Sequence, residues 1–450
     1  MATPSPVLHT LKIATGSLRV NGGRLWRSLM ELAQIGATPK GGVRRLALTS
    51  LDGQGRDLVV GWLKETGSRI EIDGAGNIFA TRPGRDPAAR VVLTGSHIDT
   101  QPSGGKFDGN YGVLAGLEVL RTLNDAGIAT EHPVAVAIWT NEEGSRFVPV
   151  MGGSGAFAGV HTLEHLLQQR DVDGIAFGDA LKDIGYAGDA PVGGRALDAY
   201  FEAHIEQGPI LEREDKIVGV VTGALGLSWY DCIWTGQDAH AGPTPMEARR
   251  DALRGASRMV EAIHALAMRH LPDGRATVGF MQVSPNSRNV VPGLVKMTVD
   301  MRHPSDEHLA TMDCELRDAA AVIARDLRLE CDLQQVDHFP ASRFDSSCIA
   351  AVRAATRALG LPHREMVSGA GHDAIYIARV APTSMIFVPC KDGISHNEIE
   401  DARPEHLEAG ANVLLHAILA RALGSRVTSR ACTRIACHIR FFWNRRRLTP

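Results

Sequence analysis

Two apolar runs with an amphipathic stretch between them constrain this chain most. VVLTGSH, from Val91, and VAVAIWT, from Val134, lack the polar alternation of a half-exposed strand, so each reads as a strand covered on both faces. Between them, NYGVLAGLEVLRTLNDAG sets Val113, Leu114, Leu117, Leu120 and Leu123 along one helical face, and Gly127 stops the helix. Strand, helix, strand with short connections is the repeating unit of a parallel α/β layer. Near Leu227 the texture changes. WYDCIWTG, ATVGFMQV and LVKMTVDMR read as strands of an open sheet, with helices at about 249–270 and 306–326. From Asp345 the α/β texture returns, with a helix over about 347–359 and the strand TSMIFVP from Thr383. The expected fold class is α/β: a large discontinuous α/β domain, 1–220 and 335–424, with a smaller α+β domain inserted at 221–334.

A chain of 450 residues exceeds what one core usually organises, which agrees with two domains. Lys plus Arg number 48 against 51 Asp plus Glu, a net charge of −3, so no global basic field exists to attract nucleic acid. No stretch approaches the apolar length of a membrane span, and the first twenty residues lack the apolar run of a secretory signal. Seven scattered Cys without a C-x-x-C pair argue against a disulfide framework, and a cytoplasmic location is expected. Residues 425–450 carry seven arginines and no acid, and are expected to lie outside the fold.

Chemistry-bearing residues gather where apolar runs end. GSHIDTQPSGGKFDG carries His97, Asp99 and Asp108; TNEEG carries Glu142 and Glu143; HIEQGP carries His204, Glu206 and Gln207; SHNEIE carries His396. Loops at the carboxyl ends of strands in an open α/β sheet converge in space. Imidazole nitrogen and carboxylate oxygen suit zinc and its neighbours manganese, cobalt and nickel. One carboxylate shared by two cations would leave room for a water between them, and Asp108 is a candidate for that shared position. Adjacent side chains diverge, so Glu142 cannot easily share a ligand role with Glu143; a free carboxylate there is what a general base requires. Asp99, two residues past His97, is placed to accept the other ring N–H of that imidazole and fix its tautomer.

On these motifs, together with TNEEGSRF, HIEQGPILE, DAHAGPTPM, NSRNVVPG and SGAGHDA, the chain resembles the two-metal amidohydrolases that cleave N-carbamoyl amino acids. Allantoate amidohydrolase and bacterial β-ureidopropionase are close relatives of that family. The resemblance runs from about Asn21 to Gly424. It implies two divalent ions per subunit, zinc first, with manganese, cobalt or nickel as alternatives. It implies ligands His97, Asp108, Glu143, His204 and His396, with His97 and His204 completing one ion and Glu143 and His396 the other, and Glu142 as base. It implies that the insertion is a lid and the interface of a homodimer. His240 would reach the partner's site and stabilise the oxyanion, while Asn289 and Arg302 would hold the substrate carboxylate. Gln207 would face the carbamoyl end and His372 would line the pocket.

The expected reaction is hydrolysis of the carbamoyl C–N bond by a hydroxide held between the ions, giving the amino acid, carbon dioxide and ammonia. Alternatives are allantoate or N-carbamoyl-β-alanine as substrate, a dipeptidase or aminoacylase on the same site, or a non-catalytic homologue. Retention of both Glu142 and the ligand set argues against the last.

Overall fold

The structure is a computed structural model and describes residues 16–424. The proposed basic tail, 425–450, lies outside the described residues. The chain divides into two compact units.

The first unit supplies β1 (Arg69–Ile72), β2 (Ile78–Arg82), β3 (Val91–His97), helix α1 (Asn110–Asp125), β4 (Val134–Trp139), β5 (Leu197–Ile205) and β6 (Val218–Ala224). The apolar runs behave as their composition requires. Every residue of β4 is buried, and so is all of β3 after Val91, because both faces of these strands are covered. The five apolar residues expected on one face of α1 are all buried, yet so are Gly112, Ala115, Gly116 and Val119. This helix is enclosed nearly all round, which the one-face pattern understates. Its contact with the sheet depends on absent side chains: a Cβ on Gly112 would stand 2.4 Å from the Ala203 carbonyl oxygen.

The chain then builds the second unit, residues 223–343 with 367–370. Its strands are β7 (Gly226–Thr235), β8 (Ala239–His240), β9 (Arg275–Ser284), β10 (Val290–Val291), β11 (Leu294–His303), β12 (Glu330–Phe339) and β13 (Ser342–Arg343). Four of them form an antiparallel sheet in the order β12-β7-β11-β9. Buried Tyr230, Cys232 and Trp234 alternate with exposed Trp229 and Asp231, the signature of a sheet with one covered face. Two helices belong to this unit, α2 (Ala252–Arg269) and α3 (Asp306–Leu327). Asp251 caps the first by accepting the N–H groups of Leu253 and Arg254, and Ser305 caps the second through His308. The unit ends beyond the expected boundary at 334, because β12 continues to Phe339. That strand is mostly exposed and polar, CDLQQVDHF, so no apolar run marks it in the sequence.

Back in the first unit come α4 (Ser346–Ala358), β14 (His363–Ser368), α5 (Asp373–Ile377), β15 (Thr383–Val388) and α6 (Pro404–Ala422). β15 is buried at all six positions. The order β4-β3-β5-β15 at the centre of the large sheet is what matters for function. β3 is parallel to β4 and to β5, and β15 is parallel to β5. Four carboxyl ends therefore open on one edge.

Candidate metal and active site

That edge collects the side chains. His97 is the last residue of β3, Glu142 and Glu143 follow β4, His204 is the penultimate residue of β5, and His396 lies on the loop after β15. Asp108 reaches them from the loop that enters α1. Its two carboxylate oxygens face different neighbours. Oδ1 lies 3.2 Å from Nε2 of His204 and 3.8 Å from Nε2 of His97, whereas Oδ2 lies 3.3 Å from Nε2 of His396. Glu143 is 3.4 Å from that same His396 nitrogen. Two donor sets able to hold a metal thus share Asp108: His97, Asp108 and His204 on one side, and Asp108, Glu143 and His396 on the other. Glu142 belongs to neither and stands 3.5 Å from Nε2 of His97.

The imidazoles of His97 and His204 are oriented as ligands. Nδ1 of His97 is 3.0 Å from the Asp99 carbonyl, and Nδ1 of His204 is 2.9 Å from the Ile205 carbonyl. A carbonyl only accepts, so each Nδ1 carries a proton and each Nε2 is the nitrogen turned toward Asp108, where its lone pair would meet a bound cation. The backbone N–H of Gly109 donates to Nε2 of His204 at 3.2 Å, which agrees with that tautomer. Burial holds His97 down at about 4, so it remains neutral near pH 7.

Carboxylates crowd this pocket. Among the described residues, the ion pairs recorded for Asp108, Glu142 and Glu143 all come from imidazoles. Burial, followed by the charges of Asp373, Glu143, Asp108 and Asp99, raises Glu142 well above the ordinary carboxylate range. Burial and then Asp108 and Asp99 do the same to Glu143. Asp108 goes the other way: burial opposes its charge, but the imidazoles of His204 and His396 beside it outweigh that and hold it well below the usual value. Imidazole nitrogens turned inward and mutually repelling buried carboxylates are the donor chemistry that a divalent cation satisfies. The residues fit the metal that the sequence implied.

One position departs from the sequence expectations, and two others have partners of their own within the protein. The Asp99 side chain does not fix the tautomer of His97, because its carboxylate is 3.8 Å from Nδ1 and the backbone carbonyl does that work. The carboxylate instead accepts the N–H groups of Glu142 and Glu143, each at 3.3 Å, and so sets the turn that carries both acids. Gln207 donates from Nε2 to Oδ2 of Asp108 at 3.0 Å and to Ser395, so it touches the shared carboxylate directly. Arg302 is already paired: Nε and Nη2 engage Asp300 on the same strand, with Nη2 at 2.8 Å, and Nη1 donates to the Gly369 carbonyl. Asp300 and Arg302 are two apart on β11, so both project from one sheet face.

His372 is buried, and its ring centre lies 4.5 Å from that of His204. It occupies the cap position of α5 without a side-chain capping bond. In the second unit, His240 on β8 pairs with Val290 on β10, and the Asn289 carbonyl accepts the N–H of Ala241. The motifs DAHAGPTPM and NSRNVVPG therefore form one small ribbon, with His240 on one strand and Asn289 just before the other. Glu206 serves local structure, accepting the N–H groups of Ile210 and Leu211.

Sequence reasoning gave no role to Glu400, Gln101 or Glu202. Gln101 donates to Oε2 of Glu143 at 2.7 Å. Glu202 is buried beneath the site, where it accepts from Ser96, Tyr200 and the Ala374 N–H. Glu400 holds the Asp108 loop, and the only signal for it was its place in SHNEIE. Gln207 and His396 have left-handed backbones, with φ of 56° and 53°. Such conformations cost non-glycine residues ~1 kcal/mol each and concentrate at functional sites.

The model of the peptidase family M20/M25/M40 matches residues 93–420, and the chain belongs to that family. It is a hydrolase of that class. More particularly, it is 51% identical over 401 residues to an N-carbamoyl-L-amino-acid amidohydrolase of Rhizobium meliloti, covering 89% of this chain and 96% of the relative. It is 38% identical over 409 residues to an N-carbamoyl-L-amino acid amidohydrolase of Geobacillus stearothermophilus, covering 90% of this chain and all of the relative. A crystal structure of an amidase of the hydantoinase/carbamoylase family from Burkholderia multivorans superposes with a TM-score of 0.89 at 62% identity, covering 91% of this chain and 99% of the other.

Proposed function

We propose that this protein is a metal-dependent amidohydrolase that cleaves the carbamoyl C–N bond of N-carbamoyl amino acids. The observation that carries the reading is Asp108, whose two oxygens face two separate donor sets while Glu142 stays outside both. The similarity to the two N-carbamoyl-L-amino-acid amidohydrolases supplies the substrate class.

In this reading His97 and His204 would hold one divalent ion and Glu143 and His396 a second, with Asp108 common to both sets and zinc the first choice. When bound, such ions supply a Lewis acid that polarises the carbamoyl oxygen and acidifies water. Glu142 performs the proton transfers. Burial and neighbouring acids raise its affinity for a proton, which suits a group that takes one from the attacking water and returns it to the leaving nitrogen. The water oxygen bonds to the carbamoyl carbon, the C–N bond to the amino acid breaks, and the carbamate falls to carbon dioxide and ammonia. His372 and Gln207 line the pocket on the side of His204 and Asp108. His240 steadies the developing oxyanion, and Asn289 and Arg302 receive the substrate carboxylate. Arg302 then exchanges or shares its partner Asp300 on binding.

The second unit is proposed as lid and dimer interface, an assignment supported by Trp229 and Phe280, which are exposed on its open sheet face. A solution mass of one chain would overturn the dimer. The proposed location is the cytoplasm, in keeping with the scattered cysteines. Among the described residues, no helix is long and apolar enough to cross a membrane.

The test is a panel of N-carbamoyl-L-amino acids, N-carbamoyl-β-alanine, allantoate and dipeptides, run on chelator-stripped protein before and after zinc or manganese is restored. Metal-dependent ammonia release from the N-carbamoyl-L-amino acids is expected. Peptide cleavage without ammonia release would refute the reading.

A further inference from the structure

Glu400 is a buried acid that the proposed mechanism does not use, and its contacts join two of the loops that build the site. It lies at the end of SHNEIE, four residues past His396, and is 1% exposed. Its Oε1 accepts the backbone N–H groups of Phe107 at 2.9 Å and of Asp108 at 3.1 Å. Its Oε2 is 2.8 Å from Oγ of Ser395, the residue before His396. Ser395 Oγ also lies 3.2 Å from Oδ2 of Asp108 and accepts from Gln207. The loop is shaped to receive this carboxylate: a Cβ on Gly105 would fall 2.1 Å from its Cδ and Oε1. One side chain thus fixes the backbone from which Asp108 projects and ties it to the loop carrying His396.

We infer that Glu400 is a positioning residue that sets the pose of the shared carboxylate Asp108 relative to His396, and so governs metal affinity without touching a metal. The inference rests on the metal reading given above. Its physical basis is reach. Metal–ligand distances tolerate only ~0.2 Å, and a carboxylate that accepts two successive N–H groups fixes the Asp108 backbone on that scale.

Two conservative variants separate reach from charge. Glu400→Gln keeps the length and an amide oxygen able to accept both N–H groups, while its amide nitrogen can still donate to Ser395 Oγ. Glu400→Asp keeps the charge but draws the oxygens back by one methylene. Calorimetric titration of the chelator-stripped proteins with zinc, together with thermal melts of the same samples, reads the effect. Glu400→Gln is expected to bind within about threefold of the parent. Glu400→Asp is expected to bind on the order of 10- to 100-fold more weakly, the range seen when partners behind metal ligands are altered. Equal affinity in the two variants, or greater loss in Glu400→Gln, would overturn the inference, as would a fall in melting temperature with zinc affinity unchanged. Failure of the parent protein to bind zinc would sink the metal reading itself and is seen separately in the same experiment.

Discussion

Adding one methyl group at Gly109 should dismantle half of the metal site while leaving the fold intact. Gly109 precedes α1 with φ of +65°. A Cβ built there would stand 2.3 Å from both Cε1 and Nε2 of His97 and 2.5 Å from its Cδ2. Carbon–carbon contacts settle near ~3.5 Å, so ring and loop must part by roughly 1 Å. That exceeds the ~0.2 Å tolerance of a metal–nitrogen bond several-fold. His97 therefore loses its place as a ligand, and zinc affinity should fall at least about 100-fold, equivalent to about 2.7 kcal/mol. Backbone strain also contributes, since φ of 65° with ψ of −49° lies outside the left-handed helical region and costs a non-glycine residue more than the ~1 kcal/mol of that region. Gly127→Ala supplies a reference for a methyl group at positive φ that strikes nothing. Gly127 has φ of +61°, and nothing lies within 4 Å of its added Cβ. It should lose ~1 kcal/mol of stability and bind zinc as the parent does. Zinc titration of stripped protein, with circular dichroism as the check on folding, compares the three. Zinc binding by a folded Gly109→Ala within threefold of the parent would refute the placement of His97 among the ligands.

Other outcomes follow from the same geometry. Glu142→Gln should keep its full complement of metal and lose about 100- to 10,000-fold in kcat, the range for removing a general base; metal loss measured by atomic absorption would show that Glu142 is a ligand instead. Arg302→Ala should raise KM for carboxylate-bearing substrates far more than for neutral ureido amides, and equal effects on both would leave Arg302 with only its structural pair Asp300. Asp73, far from this chemistry in sequence, predicts a pH dependence of stability. Burial pushes its carboxyl up from 3.8 to about 6, against hydrogen bonds from Asn77 and Ala75. The folded state therefore holds the proton more tightly, and the associated stability is complete below about pH 4 and lost as pH rises through 6. The loss is at most about 3 kcal/mol. Urea unfolding at pH 4 and pH 7 should show the parent losing stability relative to Asp73→Asn across that interval, and a constant difference would contradict it.

The large sheet and its site were legible in the sequence to different depths. Apolar runs such as VVLTGSH and VAVAIWT announce buried strands because no polar residue interrupts them. β12 announced nothing, since its exposed polar residues carry no such signal, and the end of the second unit was placed short of Phe339 for that reason. The five proposed ligands and Glu142 stood out because acids and histidines gather in the segments where apolar runs end. Their supporting cast did not. Asp99 was noticed with the wrong atom in mind, and Glu400 was passed over because nothing near it in sequence reveals that it holds Phe107 and Asp108.

By itself, the sequence determined which residue types were available and where the buried strands ended, because an uninterrupted apolar run and the loop after it are local properties. Tertiary structure alone decided which oxygen of Asp108 faces which histidine and which nitrogen of His97 and of His204 is turned toward it. It also decided which glycines stand where a methyl group would strike a ligand. Those are angstrom-scale relations between segments up to some 300 residues apart, fixed only when β4, β3, β5 and β15 align in parallel and bring four loop ends to one edge.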